Sequence, residues 1–316
     1  MSKFKIRHVT KYSYETMVRD SANQIMLYPI KDASQQILQH TILITGNPVV
    51  DLYFDSYGNQ VGTFTQARPH QELIIDSRLL VETFPRLIPE DTTPQDLQWL
   101  ELTTLRQQLE YIDFLRQERF SAFQEIEKIV ETERCQECSP LVTAKHFCEY
   151  IYKNFEYKKG ITTVESTIDE VWNLRSGVCQ DFAHVLLVML RLINIPARYV
   201  SGYICPKKNG MRGEGATHAW VEAYIPFYGW LGLDPTNNSL ATEAHVRLAV
   251  GKNFSDCSPV KGTYRGTSNH TLDVAVSVGY EDGITMDGDH EIVKPDVIAS
   301  NVKNSFRRHQ EMQMQQ

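Results

Sequence analysis

Gly177-Val178-Cys179-Gln180-Asp181-Phe182-Ala183-His184-Val185-Leu186-Leu187-Val188-Met189-Leu190-Arg191-Leu192-Ile193 is the stretch on which the reading of this chain turns. From Asp181 to Ile193 it is apolar nearly all round, the pattern of a helix buried on every side. Asn194-Ile195-Pro196 ends it, because proline cannot continue a helix. Gly177 stands just ahead, so Cys179 opens the helix. A helix N-terminus carries partial positive charge and unpaired N–H groups. Both favour a thiolate over a thiol, and the same N–H groups are suited to hold an oxyanion. Position alone leaves two readings of Cys179 open: a nucleophile, or a small buried core residue, the usual place of a lone cysteine.

A second stretch bears on the first. In Thr217-His218-Ala219-Trp220-Val221-Glu222-Ala223-Tyr224, strand alternation puts His218, Trp220, Glu222 and Tyr224 on one face and turns Ala219, Val221 and Ala223 to the core. The loop Ile225-Pro226-Phe227-Tyr228-Gly229 returns the chain as Trp230-Leu231-Gly232-Leu233-Asp234. If that loop sets the register, 224 faces 230 and 220 faces 234. Asp234 then lies diagonal to His218 on one face, and diagonal partners about 7–8 Å apart are within side-chain reach. A carboxylate there orients an imidazole and stabilises its charged form. An imidazole that also reached Cys179 would make a thiolate–imidazolium pair; sequence does not fix that meeting.

Upstream, Thr167-Ile168-Asp169-Glu170 fits a capping box, opening a short helix that Arg175-Ser176-Gly177 breaks. Ser139-Pro140 has the N-cap and N1 residue types of another helix, with Phe147, Ile151 and Phe155 on one face. Between 94 and 134, Leu97, Leu100, Leu105, Leu109, Ile112, Leu115, Phe123, Ile126 and Ile129 recur at roughly helical spacing, which predicts one or two helices. Residues 3–85 read as strands: Phe4–Val9, Gln39–Ile44 and Leu73–Asp76, parted by the turn signals Gly46-Asn47-Pro48 and Tyr57-Gly58-Asn59. Downstream, Ala197–Ile204 is a further strand and His270–Val278 another. From 281 the pattern is lost and a frayed tail is expected.

The whole-chain numbers exclude several classes. At 316 residues, 42% hydrophobic and 22% charged, the chain has ordinary globular composition. A net charge of −7 without a basic patch argues against nucleic acid or an anionic membrane as partner. No apolar run approaches the roughly 18–20 residues of a spanning helix, and Met1–Glu15 lacks a signal-peptide core; a cytoplasmic protein is expected. Its six cysteines are then free thiols, metal ligands or nucleophiles. Cys135-Gln136-Glu137-Cys138 has zinc-like spacing, with His146 and Cys148 nearby. No second pair follows at finger spacing, so two reduced surface thiols are expected.

Four ordered motifs carry a family resemblance: Gly177-Val-Cys-Gln-Asp-Phe182, Asn194-Ile-Pro-Ala-Arg-Tyr-Val-Ser-Gly-Tyr203, Thr217-His-Ala-Trp-Val-Glu222 and Gly232-Leu-Asp-Pro-Thr236. Together they resemble the core of the transglutaminase-like superfamily, whose order is Cys, His, Asp. The resemblance implies a catalytic triad of Cys179, His218 and Asp234 on an α+β, papain-like fold, with the cysteine helix packed on the antiparallel sheet that bears the other two. Phe54-Asp55-Ser56-Tyr57-Gly58-Asn59 looks like part of the antiparallel β domain that precedes this core in bacterial members. Val250–Asp256 and Pro259–Gly262 resemble their tail, although Lys252-Asn253-Phe254 stand where Arg-Asp-Tyr is frequent. The division that follows is a β-rich domain at 1–90, a helical connector at 91–138, the transglutaminase-like core at 139–280 and the tail at 281–316.

The expected activity is cysteine-dependent acyl transfer on amide bonds of a peptide or protein substrate, by way of an acyl-enzyme. Hydrolysis as a protease or amidohydrolase is the first reading, and protein-glutamine transglutamination with an amine acceptor the second. A non-catalytic peptide-binding module and a scaffold acting through the β domain are the others. No metal or cofactor is called for, and no Asp-x-Asp-x-Asp-Gly calcium loop is evident. Asn173 and Gln180 rival one another for an oxyanion-holding side chain. His184 is read as a core histidine, Asp181 as a cap, and Trp220, Tyr224 and Tyr203 as lining a cleft or covering the sheet.

Overall fold

The computed structural model describes residues 2–118, 120–135, 137–205, 211–213, 215–266 and 268–281. The chain divides into two compact units, Met1–Thr83 with Ser258–Gln316, and Phe84–Cys257.

In the first unit Phe4, Ile6, His8 and Thr10 point inward along β1 (Ser2–Ile25) while Lys5 and Arg7 point out, the period of two that the sequence shows. β1 runs much further than its alternating start. β2 (Gln35–Ile44), β3 (Asp51–Phe54), β4 (Gln60–Gln66) and β5 (His70–Thr83) complete the order β2-β5-β1-β4-β3. The first half of β1 pairs with β5 and its last residues with β4. The register slips between Ser13 and Val18, where one ladder gives way to the other. The Phe54–Asn59 turn is closed by the Asp55 carboxylate, which accepts from the N–H groups of Tyr57 and Asn59 at 2.9 and 2.8 Å. Edge strands bury little: Leu43 is 50% exposed on β2, and all four residues of β3 are exposed, with Phe54 at 71%.

The second unit opens with three helices, where one or two were expected: α1 (Gln95–Leu105), α2 (Leu109–Leu115) and α3 (Phe123–Glu133). The breaks fall at 106–108 and 116–122, which hold no Gly or Pro to signal them. α4 (Pro140–Asn154) starts as read, with Ser139 Oγ accepting from Val142 N–H at 3.2 Å. A two-residue parallel bridge joins β6 (Glu156–Tyr157) to β7 (Ser176–Gly177). Between them, α5 (Ile168–Leu174) has both bonds of the Thr167–Glu170 capping box, at 2.8 and 3.2 Å. Then comes α6 (Cys179–Leu192), with Phe182, Ala183, Val185, Leu186, Met189 and Leu190 fully buried. It ends at Asn194, in the left-handed region at φ 64°. α6 packs on a five-stranded antiparallel sheet ordered β11-β10-β9-β8-β12. Its strands are β8 (Ala197–Ile204), β9 (Thr217–Ile225), β10 (Gly229–Asp234), β11 (Ser239–Leu240) and β12 (His245–Gly251). β9 is buried on both faces, Trp220 and Glu222 as completely as Val221 and Ala223, so no face of it is left to solvent. The short α7 (Phe254–Cys257) closes the unit.

The chain then returns to the first unit. β13 (Val260–Arg265) and β14 (His270–Tyr280) both pair with β1, the latter from Tyr14↔His270 to Phe4↔Tyr280. The strand at 270–278 therefore belongs to the N-terminal sheet and not to the core in which the sequence division placed it. Alternation identifies a strand but does not say which sheet it joins. From residue 282 the expected frayed tail lies outside the described residues.

Cys135 and Cys138 were expected as reduced thiols; in the structure they form a disulfide, with Cα atoms 5.1 Å apart, a separation that such a bond spans. Among the described residues no helix is long and apolar enough to cross a membrane.

Candidate active site

Cys179 is the first residue of α6, and no side chain caps the helix at Val178. The local shape is set by Asp181, which turns back so that Oδ2 accepts from Val178 N–H at 2.8 Å and from Thr162 Oγ1–H at 2.7 Å. A side chain at 177 would occupy the space of that carboxylate, which is why glycine precedes Cys179. Asp181 is thus a cap, as read, leaving the N–H of Cys179 at the open end of the helix. Cys179 is half-buried, whereas the other free cysteines, Cys148, Cys205 and Cys257, are all buried.

The hairpin has the register read from its loop: Trp230 faces Tyr224 and Leu233 faces Val221. His218 Nε2 lies 2.9 Å from Asp234 Oδ2, and both side chains are fully buried. Oδ2 also accepts from Asn237 Nδ2 at 2.8 Å, and Oδ1 from Thr236 N–H at 3.0 Å. Burial opposes the imidazolium, but the charges of Asp234 and Cys179 and the hydrogen bonds to both outweigh it and hold His218 up to about 10. Burial likewise opposes the Asp234 carboxylate; the charge and hydrogen bond of His218, with a hydrogen bond from His245, outweigh it and keep Asp234 well below the usual carboxylate range. Nε2 is taken by Asp234, so the stabilising effect of Cys179 acts through the ring's other nitrogen. That nitrogen, Nδ1, is buried and makes no hydrogen bond of normal geometry. A loose contact of this kind is ordinary before substrate binds.

The pair makes stability depend on pH with a definite sign. His218 sits higher folded than its unfolded value of about 6.5, so its contribution is complete below that pH and is lost as pH rises towards about 10. The unfolding free energy of the wild type, taken relative to His218→Gln, is expected to fall across that window in urea titrations. A difference that stays constant would contradict the ion pair.

A third side chain, absent from the sequence reading, meets the same carboxylate: His245, whose Nε2 is 3.3 Å from Asp234 Oδ2. His218, Asp234 and His245 present ligand atoms within 4.8 Å of one another, a set that could hold a metal ion by type. The hydrogen bonds do not fit one. His245 Nδ1 accepts from Thr242 N–H at 3.1 Å, so the ring's proton is on Nε2, the atom a metal would need bare. The sequence around His245, His245-Val246-Arg247-Leu248-Ala249-Val250, is mainly apolar and does not single out the histidine.

The other candidates fall out as follows. Gln180 Nε2 donates to Val164 O at 3.4 Å and Asn173 is exposed, so neither amide is seen directed at Cys179. His184 is a satisfied, half-buried histidine, accepting from Phe254 N–H at 3.2 Å, and desolvation lowers it to about 4. Trp220 and Tyr203 are buried and cover the sheet. Tyr224 packs on Tyr111 and Trp230. Gly213, in the left-handed region at φ 78°, lies so close that a Cβ there would be 3.1 Å from His218 Nδ1; this backbone overlies the nitrogen on the Cys179 side.

A helix-borne cysteine beside a His–Asp hairpin, in a chain whose N-terminal region is rich in strands, defines a class, and comparison with known proteins agrees. Residues 131–235 match the transglutaminase-like superfamily and residues 4–82 the bacterial transglutaminase-like N-terminal region. An uncharacterized protein of Mycobacterium leprae is 30% identical over 283 residues, 88% of this chain and 99% of its own. The chain belongs to the transglutaminase-like superfamily. A solved structure from Cytophaga hutchinsonii, described as a "putative cysteine protease", superposes with a TM-score of 0.71 at 21% identity, over 93% of this chain and 96% of its own; the likeness is one of fold. A protein-glutamine gamma-glutamyltransferase of Pseudomonas aeruginosa is 36% identical over 87 residues, 26% of this chain and 13% of its own.

Proposed function

We propose that this chain is a cysteine-dependent acyl-transfer enzyme acting on amide bonds of peptides or proteins, with hydrolysis as its reaction. Cys179 is the nucleophile, His218 the base and Asp234 the group that orients the base. The observation that carries this reading is the buried 2.9 Å bond between His218 and Asp234, with Cys179 near enough to add to the charge held on the ring. In the attack, the Cys179 sulfur bonds to the amide carbonyl carbon and its proton resides on His218. The Cys179 N–H, at the start of α6 where Asp181 takes up the N–H of Val178 instead, supports the oxyanion. The C–N bond then breaks as His218 gives its proton to the departing amine, leaving an acyl-enzyme. Water attacks that thioester, His218 takes the water's proton, and the carboxylic acid leaves as the thiol is restored.

The second reading replaces water with a primary amine and rests on the local match to the gamma-glutamyltransferase. Only the second nucleophile differs. Incubating the protein with a glutamine-bearing peptide, with and without an added primary amine, separates the two by mass spectrometry. Amide cleavage with gain of a water, absent in Cys179→Ala, is the expected result. Incorporation of the amine with loss of ammonia would make it a transglutaminase. Peptide retention with no covalent change would leave a binding module.

A further inference from the structure

His245 opens β12 and is 2% exposed. Both ring nitrogens are engaged, and their roles are fixed. Nδ1 accepts from Thr242 N–H at 3.1 Å, so Nε2 carries the proton and donates it to Asp234 Oδ2 at 3.3 Å. The ring is held edge-on against Trp220, centroids 5.1 Å apart at 76°. The oxygen it meets is the one that accepts from His218. Oδ2 thus has three side-chain donors, His218, Asn237 and His245, and Oδ1 has Thr236 N–H. A buried carboxylate without such donors takes up a proton and ceases to orient a base. Among the described residues, Cys148 on α4 and Tyr157 on β6 also feel the charge of Asp234. β12 is separated from β10 by two strands, β8 and β9; the fold brings His245 across the sheet to this one atom.

We infer that His245 is a positioning residue, whose donated N–H adds to those of His218 and Asn237 in keeping Asp234 ionised and fixes the carboxylate in the orientation that aligns His218 with Cys179. This rests on the reading of Cys179 and His218 as a reacting pair. At 3.3 Å the bond is longer than the 2.9 Å bond from His218, so its loss costs less than the loss of Asp234 itself.

Two readouts test the inference on the full chain: the pH midpoint of Cys179 alkylation by iodoacetamide, and the titration of the His218 ring followed by NMR. In His245→Phe, which keeps the volume and removes the donor, the alkylation midpoint is expected to rise by about one pH unit and the His218 titration to fall by about as much. His245→Gln, whose Nε2 restores an N–H towards Asp234, recovers most of both shifts. A packing role would change the melting temperature and leave the two titrations where they were; a folded His245→Phe with both unmoved overturns the proposal. If His245→Phe does not fold, His245→Gln is compared with His245→Asn, too short to reach Asp234, and identical titrations in those two overturn it. A wild-type alkylation midpoint at the ordinary thiol value of about 8.5 sinks the reacting pair instead, while the His218 titration still reports whether His245 acts on it.

Discussion

Asp234→Asn is expected to lower the rate of acyl transfer by about 10⁴-fold. Four donors converge on the two oxygens of Asp234: His218, Asn237 and His245 on one and Thr236 N–H on the other. An asparagine offers one acceptor and one donor, so an N–H must meet a group that itself donates. The relief open to His218 is to accept at Nε2 and carry its proton on Nδ1, the nitrogen on the Cys179 side. In that tautomer the ring's lone pair lies on Nε2, turned away from Cys179, and cannot receive the thiol proton. The effect therefore falls on the chemical step and not on substrate affinity, which separates it from a binding defect. Breaking a buried pair also destabilises by roughly 3–5 kcal/mol, so rates are to be compared per folded molecule. A variant that keeps wild-type turnover would mean that Asp234 does not set the tautomer of His218.

Glu222→Gln is expected to be the most destabilising single change away from Asp234. Glu222 is fully buried on β9 and meets three guanidinium groups. Arg198 Nε and Nη2 donate to one oxygen at 2.9 and 2.7 Å, and Arg86 and Arg247 to the other at 3.4 and 3.3 Å. Burial already presses on Arg247, bringing it down to about 10. Removing the one carboxylate leaves three cations facing each other, two of them with side chains only 17% exposed. The expected loss is about 3–5 kcal/mol, or a fall of about 10 °C in melting temperature for a unit of this size. Denaturant titration checks it: the midpoint should fall with an unchanged slope. An unmoved midpoint would show that Glu222 contributes nothing net against the desolvation of its own charge and that of the guanidiniums around it.

What was legible in the sequence is what local rules control. The start and end of α6, the Ser139 cap, the Thr167–Glu170 box and the His218–Asp234 hairpin each depend on residues close in sequence, and each is found as read. The hairpin is the clearest case: a five-residue loop fixes the register, and the register alone puts the carboxylate within reach of the ring. Where partners are far apart in sequence the reading stopped. Nothing in 270–278 says that it pairs with residues 4–14, and nothing in β12 says that His245 crosses two strands to Asp234. The three helices at 95–133 were merged into fewer because their breaks carry no Gly or Pro. The disulfide between Cys135 and Cys138 was missed because composition and compartment were weighed over geometry, and a three-residue separation brings the Cα atoms close enough. Burial on both faces of β9 was missed for a related reason: alternation marks one face apolar, but Glu222 and His218 enter the interior because their partners come from elsewhere.

The measurement that tests the account most directly is the rate at which iodoacetamide labels Cys179 from about pH 4 to pH 9, in the wild type and in His218→Ala. The protein suits it: Cys148, Cys205 and Cys257 are buried, Cys135 and Cys138 are bonded to each other, and Cys179 is the half-buried free thiol. The account predicts rapid labelling that persists well below the ordinary thiol value of about 8.5 and is lost in His218→Ala. Labelling that follows an ordinary thiol titration, the same in both proteins, would contradict it.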